Sequence, residues 1–249
     1  MENKEIVYGK NAIEALLQSN KRRINKVFIA KGIKYDDKLK KLINIARNNN
    51  IIVQEVPREK INSMAPGSNQ GIAASVSPIE YTEFDDLITL LESKKEKALV
   101  VILDKVEDPH NLGSIVRTAV CAGVDGIIIP KRRSSQITAT VEKTSAGAVE
   151  QIPIVQVNNL NSAIEKLKDI GFWVVGAEAD GDKNYFDIEY DMKCVLVLGG
   201  ENQGISTLVK KNCDFLVKIP MPGNFNSLNV SNAASILIYE VVKQRIQNK

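Results

Sequence analysis

A dense group of amide and hydroxyl side chains lies near the C-terminal end of the sequence, where a predicted strand gives way to a predicted helix. The strand-like run 215–219 ends at two prolines and a glycine. Short polar side chains then crowd the next positions, at Asn224, Asn226, Ser227, Asn229, Ser231 and Asn232. An ordinary helix start needs only one capping side chain. The excess predicts a binding site made of backbone groups and short polar side chains.

Two further polar clusters follow predicted strands, which is where open α/β sheets bind their ligands. After the predicted strand 99–103, Asn111 is placed to cap the next helix and Arg117 falls in the second turn of that helix. After the predicted strand 195–198 comes Gly199-Gly200-Glu201-Asn-Gln-Gly204. Paired glycines let a ligand approach the backbone closely, and Glu201 adds a carboxylate. Taken alone, each cluster also fits a capped helix or a glycine-rich turn.

The elements that must position these clusters alternate between strands and helices from residue 98 onward. Near-continuous apolar strands separated by amphipathic helices predict a parallel sheet covered on both faces. The strands are predicted at 99–103, 126–129, 154–157, 172–177, 195–198 and 215–219, and the helices at 112–122, 138–146, 160–170, 205–211 and 230–247. Before residue 78, helices at 11–17 and 36–47 and strands at 27–30, 51–53 and 72–76 predict a smaller α/β unit.

Charge divides the chain in the same place. Residues 1–80 hold 14 Lys or Arg against 8 Asp or Glu, whereas residues 81–249 hold 19 against 22. We therefore expect a small N-terminal domain at 1–78, a linker at 79–97 and a larger domain at 98–249. Basic residues between Lys21 and Lys41 either form a solvated face or bind a polyanion. The candidates that we single out for binding are Lys21, Arg22, Arg23 and Lys26.

Several classes of protein are disfavoured by what the sequence lacks. No apolar run approaches the ~20 residues of a membrane span, and the first residues lack a signal-peptide core. Three widely spaced cysteines and the single His110 make a poor metal set, so we expect reduced cysteines, no metal and a cytoplasmic location. The Gly-x-Gly-x-x-Gly fingerprint, the phosphate-binding loop and the nucleophile elbow are also missing.

The three clusters together resemble a known family. Asn111-Leu-Gly-Ser-Ile-Val-Arg117, Leu198-Gly-Gly-Glu201-Asn-Gln-Gly204 and Ser227-Leu-Asn229-Val-Ser-Asn-Ala are similar, in order, to motifs 1, 2 and 3 of the SpoU (TrmH-type) RNA ribose 2′-O-methyltransferases of the SPOUT superfamily. The run 7–17 resembles the start of that family's substrate-binding domain, which is similar to ribosomal proteins L30e and L7Ae. That N-terminal extension, together with Asp108-Pro-His-Asn-Leu-Gly113, resembles the RlmB-like branch, which methylates a guanosine of 23S rRNA.

The resemblance implies an α/β fold with a C-terminal parallel-sheet SPOUT domain, whose chain near 199–229 forms a trefoil knot. It implies S-adenosylmethionine as cofactor, RNA as substrate and a homodimer formed through the C-terminal domain. The cofactor positions that it implies are Gly199, Gly200, Gly204, Ile219, Met221, Leu228 and Asn229. The catalytic positions that it implies are Arg117, Asn111, Glu201, Ser227 and Asn229, with Arg117 coming from the partner subunit.

Other functions remain open at this point. The same chemistry could act on a tRNA guanosine or an rRNA adenosine. A non-catalytic RNA-binding or ribosome-assembly protein could keep the fold, although it would not need the set Asn111, Arg117, Glu201, Ser227 and Asn229. A Rossmann-like small-molecule enzyme is disfavoured by the missing fingerprint and the basic N-terminal region.

Overall fold

The computed structural model describes residues 5–19, 22–94, 97–200 and 204–248. These residues form two compact units. The first comprises the chain up to Glu80 together with Ile137–Gln151, and the second comprises Tyr81–Gln136 and Ile152–Lys249. The boundaries expected from the sequence differ from these units in two segments. Residues 137–151 were assigned to the larger domain, and most of the expected linker 79–97 belongs to the second unit, where Leu87 and Leu91 of the segment 84–93 are part of the apolar core.

The strands and helices alternate through most of the chain. The strands are β1 Glu5–Tyr8, β2 Ile24–Ala30, β3 Val53–Val56, β4 Ile72–Val76, β5 Leu99–Asp104, β6 Gly126–Pro130, β7 Ile154–Val157, β8 Trp173–Ala177, β9 Lys183–Asn184, β10 Cys194–Gly199 and β11 Phe215–Lys218. The helices are α1 Lys10–Ser19, α2 Asp37–Asn48, α3 Arg58–Met64, α4 Phe84–Ser93, α5 Pro109–Cys121, α6 Ala139–Thr144, α7 Leu160–Asp169, α8 Thr207–Lys211 and α9 Val230–Gln247. Short 3₁₀ helices lie at Ala148–Glu150 and Tyr185–Asp187.

The first unit is a four-stranded sheet in the order β1-β4-β2-β3. Strand β4 runs antiparallel to both of its neighbours, while β2 and β3 are parallel. All five residues of β4 are buried, because α1 and α2 cover one face of the sheet and α3 covers the other. Helix α2 begins where the side chain of Asp36 accepts a hydrogen bond from the backbone N–H of Leu39 at 2.8 Å.

The second unit is a seven-stranded sheet in the order β7-β6-β5-β10-β8-β11-β9, and its paired strands are parallel. Strand β5 is buried along its whole length and is rich in Val, Leu and Ile, as expected for a strand covered on both faces. Helices α4 and α7 contribute to the apolar core on one side, and α5 packs with α9. The carboxyl ends of β5 and β10 lie side by side, with Asp104 in register with Gly199.

The predicted α/β architecture and its large parallel sheet are confirmed. Each predicted strand and helix has a counterpart, with ends that shift by a few residues. The structure adds β1 and the two-residue edge strand β9 to the strands that were predicted. Cys194 is buried, whereas Cys121 is exposed. Within the described residues, no helix is long and apolar enough to cross a membrane, and no cluster of side chains suits a metal ion.

Candidate active site

Motifs 1 and 3 meet at the starts of two helices. The side-chain N–H of Asn229 donates a hydrogen bond to Oδ1 of Asn111 at 3.0 Å. The Oδ1 atom of Asn229 also accepts from the backbone N–H and the hydroxyl of Ser231, at 2.9 and 2.6 Å, and so caps α9. A single asparagine therefore fixes the start of α9 and joins it to motif 1, two segments 118 positions apart.

Helix α5 begins before motif 1, at Pro109, whereas the sequence predicted a start at residue 112. The cap of α5 is Asp108, whose side chain accepts from the backbone N–H of His110 at 2.9 Å, and Pro109 occupies the first turn. Asn111 is therefore inside the helix, so the prediction that it caps the helix is wrong. Only 7% of Asn111 is exposed. Its buried side chain serves to hold Asn229.

Arg117 lies on the exposed side of the second turn of α5. Among the residues that the structure describes, its guanidinium makes no hydrogen bond or ion pair. It also does not belong to the described lining of the adjacent cavity. The structure thus brings Asn111, Ser227 and Asn229 to one region and leaves Arg117 pointing to solvent.

A cavity of about 670 Å³ opens at the carboxyl edge of β8, β10 and β11. This size lies within the ordinary range for small-molecule sites. Its described lining includes the predicted residues Gly199, Gly200, Gly204, Ile219, Met221, Ser227 and Leu228. Asn229 follows Leu228 and directs its side chain to Asn111 instead. Glu201, the remaining predicted residue of motif 2, lies outside the described residues.

The glycines of motif 2 are required by close approach of the backbone. A Cβ atom at Gly199 would lie 2.0 Å from the carbonyl carbon of Gly204, and one at Gly200 would lie 2.3 Å from the carbonyl oxygen of Lys105. Gly204 has a φ of +59°, which favours glycine. Any larger residue at Gly199 or Gly200 would have to displace the backbone of this wall.

Two carboxylates that the sequence analysis missed hold the end of the motif 2 loop. Asp104, at the end of β5, accepts from the backbone N–H of Ser206 at 2.7 Å. Glu178, directly after β8, accepts from the backbone N–H of Ile205 at 2.6 Å and lines the cavity. These strands flank β10 on both sides. The available signal was a carboxylate at the carboxyl end of each predicted strand.

The candidate RNA-binding residues of the first unit have different surroundings. Arg23 is exposed, and Lys26 donates to Oε1 of Gln54 at 3.1 Å. The Arg22 side chain is only 2% exposed and pairs with the carboxylates of Glu142 and Glu150. A buried, paired guanidinium is not available to a phosphate, so the prediction that Arg22 contacts RNA is corrected. Lys21 lies outside the described residues.

The ion-pair network around Arg22 shifts the pKa values of its members. Burial alone would lower the pKa of Arg22, but the nearby carboxylates of Glu142 and Glu150 raise it above its ordinary value. Burial raises the pKa of Glu142 to about 7, against the opposing attraction of Arg22. The network also includes Glu5, which lies 2.6 Å from the guanidinium. It joins β1, the segment before β2, and residues 137–151 within the first unit.

Comparison with solved structures places the fold among SpoU methyltransferases. AviRb from Streptomyces viridochromogenes, determined in complex with the cofactor AdoMet, superimposes with a TM-score of 0.82 at 24% identity, over 98% of this chain and 91% of that chain. An AdoMet-bound rRNA methyltransferase from Sinorhizobium meliloti gives a TM-score of 0.79 at 25% identity, over 96% and 87% of the two chains. The fold is that of a SpoU-type methyltransferase.

Comparison of sequences shows the family as well as the fold. Residues 98–239 match the SpoU rRNA Methylase family, and residues 6–82 match the RNA 2′-O ribose methyltransferase substrate-binding family. A "Putative TrmH family tRNA/rRNA methyltransferase" from Staphylococcus haemolyticus is 46% identical over 97% of this chain and 96% of its own length. The chain belongs to the SpoU family of RNA methyltransferases, and the cofactor of that family is S-adenosylmethionine.

The residues of the cavity fit this cofactor. Leu198, Val217 and Ile219 supply apolar surface for an adenine ring, and Gly199 and Gly200 add backbone groups to the lining. The carboxylate of Glu178 supplies an acceptor for sugar hydroxyls. The cavity walls therefore combine the apolar and polar groups that a nucleoside requires.

Proposed function

We propose that this enzyme transfers a methyl group to the 2′-hydroxyl of a ribose in RNA, and that its target is a guanosine of 23S rRNA. The observation that supports the site is the junction of Asn111 with Asn229 beside the glycine-walled cavity. The two-unit chain, with a substrate-binding match at residues 6–82, supports a large folded RNA as substrate. S-adenosylmethionine supplies the methyl group from its positively charged sulfur.

The reaction needs alignment and removal of one proton. Methyl transfer from a sulfonium proceeds once the attacking oxygen is held in line, so positioning supplies much of the catalysis. The hydroxyl must lose its proton as it attacks. Arginine has a pKa of about 12.5–13.8 and stays protonated at ordinary pH. We assign Arg117 to binding the adjoining phosphate and to stabilising the developing negative charge on the ribose oxygen.

The remaining polar residues position the reacting groups. Asn111 and Asn229 hold motifs 1 and 3 together, and Ser227 faces the cavity from the loop before α9. We assign Glu201 as a positioning group or proton acceptor for the ribose. Gly199, Gly200, Gly204, Ile219, Met221 and Leu228 are the proposed cofactor contacts.

We propose a homodimer in which Arg117 completes the site of the partner subunit. Within the described residues, Arg117 has no contact with the cavity of its own chain, which supports this arrangement. Tyr239 on α9 is 49% exposed and supplies apolar surface for such a contact. A strictly monomeric and fully active enzyme would contradict the composite site.

The organisation of the rest of the protein follows from the same proposal. The first unit selects RNA, with Arg23 and Lys26 among its phosphate contacts, and the second unit carries the chemistry. We propose a trefoil knot near 199–229 because the chain belongs to the SpoU family. We place the enzyme in the cytoplasm, where unmodified ribosomal RNA is found.

The decisive experiment is to delete the gene and map ribose methylation in rRNA and tRNA. We expect one 2′-O-methylguanosine to disappear from 23S rRNA and to return when the wild-type gene is restored. Loss of a tRNA methylation, or of a methyladenosine, would move the proposal to another substrate. An unchanged methylation map, together with purified enzyme that methylates neither RNA, would overturn it.

A further inference from the structure

Three consecutive cations follow β6 and are not used by the site described above. Lys131, Arg132 and Arg133 are all exposed. Among the residues that the structure describes, their side chains form no ion pair and no hydrogen bond. An exposed run of this kind carries positive charge that is available to an outside partner.

The turn that carries these cations is fixed by hydrogen bonds at both ends. The backbone N–H of Lys131 donates to the carbonyl of Val157 at 2.9 Å. The hydroxyl of Ser134 donates to the carbonyl of Pro130, and the backbone N–H of Ser135 donates to the carbonyl of Val106 at 2.8 Å. Arg133 has a φ of +56°, which makes the turn tight. The three side chains are therefore presented from a defined backbone.

This turn lies beside motif 1. Strands β5 and β6 are parallel neighbours, with Ile102 in register with Ile128, so their carboxyl ends share one edge of the sheet. Val106, which holds the turn, is two residues before Asp108, the cap of α5. The basic turn is thus anchored to the short segment that leads into α5, the helix that carries Arg117.

The positive charge of the turn contrasts with the slightly negative net charge of the second unit, to which it belongs. The second unit has 18 Lys or Arg against 20 Asp or Glu. Several of its lysines are neutralised by carboxylates, as in the pairs Lys168–Asp214 and Lys210–Asp180. The turn is therefore a local positive patch on a unit with a slightly negative net charge.

We propose that Lys131, Arg132 and Arg133 form an RNA-binding surface of the catalytic unit, contacting phosphates that flank the target nucleotide. The proposal rests on the proposed function and adds a surface that is separate from the N-terminal domain. Guanidinium groups match the geometry of phosphate oxygens. The exposed turn is suited to a phosphate backbone that passes over it.

The test compares a variant with Lys131→Gln, Arg132→Gln and Arg133→Gln with a matched control. The control carries Lys166→Gln, Lys168→Gln and Lys211→Gln, which remove the same charge near the opposite, amino-terminal edge of the sheet. Binding to 23S rRNA transcribed in vitro is measured between 50 and 200 mM salt. We expect the first variant to bind about tenfold or more weakly, with a log–log salt slope reduced by about 2–3.

Binding of S-adenosylmethionine and the thermal unfolding midpoint should match the wild type in both variants, which shows that both fold. If the two variants bind RNA equally well with equal slopes, the basic turn is not an RNA-binding surface and the inference fails alone. If the wild-type enzyme itself shows no salt-dependent RNA binding, the proposed function fails and the inference fails with it.

Discussion

The two units of this protein use their arginines in opposite ways. In the first unit, Arg22 is buried and held by Glu142 and Glu150. In the second unit, Arg117 is exposed and lacks a partner among the described residues. A buried charge must be neutralised where it stands, because removing it from water costs several kcal/mol. An exposed and unpaired charge keeps its capacity to bind something else.

Burial and ion-pair partners, rather than sequence neighbours, distinguish the structural Arg22 from Arg117, for which we propose a catalytic role. Arg22 sits in the most basic run of the chain, which made it a candidate for RNA binding. Arg117 sits among apolar residues of a helix, where one cation is easily taken for a solvated side chain. Because Arg22 is buried and paired with carboxylates, it is a structural residue and does not bind RNA.

The largest effect should come from Arg22→Ala. This change leaves the buried carboxylates of Glu142 and Glu150 without their counter-charge, so we expect a loss of about 3–5 kcal/mol in the free energy of unfolding. Urea unfolding measures it. Arg23→Ala, at the adjacent exposed position, is the control and should change stability by less than about 0.5 kcal/mol. Equal effects of the two changes would contradict the network.

Arg117→Ala should have the complementary effect, on rate instead of stability. Loss of a preorganised donor to a developing oxyanion typically costs about 100- to 1000-fold in rate. We expect a loss of at least this size in RNA methylation, with nearly unchanged affinity for S-adenosylmethionine by calorimetry. Arg117→Lys keeps the charge without the planar geometry and should recover only part of the rate. Wild-type methylation by Arg117→Ala would rule out the role.

The stability of the buried network around Arg22 should also depend on pH. Because burial raises the pKa of Glu142 to about 7, its protonated form stabilises the fold fully below the ordinary value of 4.5, and this contribution is lost as pH rises toward 7. Glu142→Gln does not titrate. We therefore expect the free energy of unfolding of Glu142→Gln to rise relative to that of the wild type by up to about 2–3 kcal/mol between pH 4.5 and 7.

Urea unfolding across this pH range measures the difference between Glu142→Gln and the wild type. Glu59→Gln, an exposed glutamate in the same unit, controls for the loss of one negative charge. A constant difference between Glu142→Gln and the wild type at all these pH values would show that burial does not govern this carboxyl.

The smallest of these effects concerns the wall of the cavity. Asp104→Ala removes the acceptor for the backbone N–H of Ser206, which costs about 1–3 kcal/mol when the donor is buried. The motif 2 loop should loosen, and we expect affinity for S-adenosylmethionine to fall about tenfold. Asp104→Asn keeps an acceptor oxygen and should bind nearly as well as the wild type. If Asp104→Ala binds with wild-type affinity, the carboxylate does not hold the loop.

Much of this architecture could be predicted, because strand periodicity and polar clusters are local signals. The family resemblance, rather than periodicity, implied a shared cofactor site for Gly199, Ile219 and Leu228, and these three residues line one cavity. The cap of α5 was misassigned because Asp108 and Asn111 are both good capping residues and the intervening Pro109 was not weighed.

Contacts between distant parts of the sequence could not be predicted. The role of Arg22 depends on Glu142, which is 120 positions away. Likewise, the apolar residues of α6 show that it is covered on one side, but they do not show which sheet covers it. The structure places that helix in the first unit, although its neighbours along the chain belong to the second.

The division of the first unit into two chain segments affects how the protein folds during synthesis and how it can be engineered. The first unit is discontinuous, so during synthesis Arg22 remains without its two buried partners until residue 150 has left the ribosome. A fragment cut after residue 80 would keep Arg22 and lose both of its buried partners. The two units therefore cannot be exchanged between relatives as simple end-to-end modules. A functional chimera would have to carry 137–151 along with the N-terminal part.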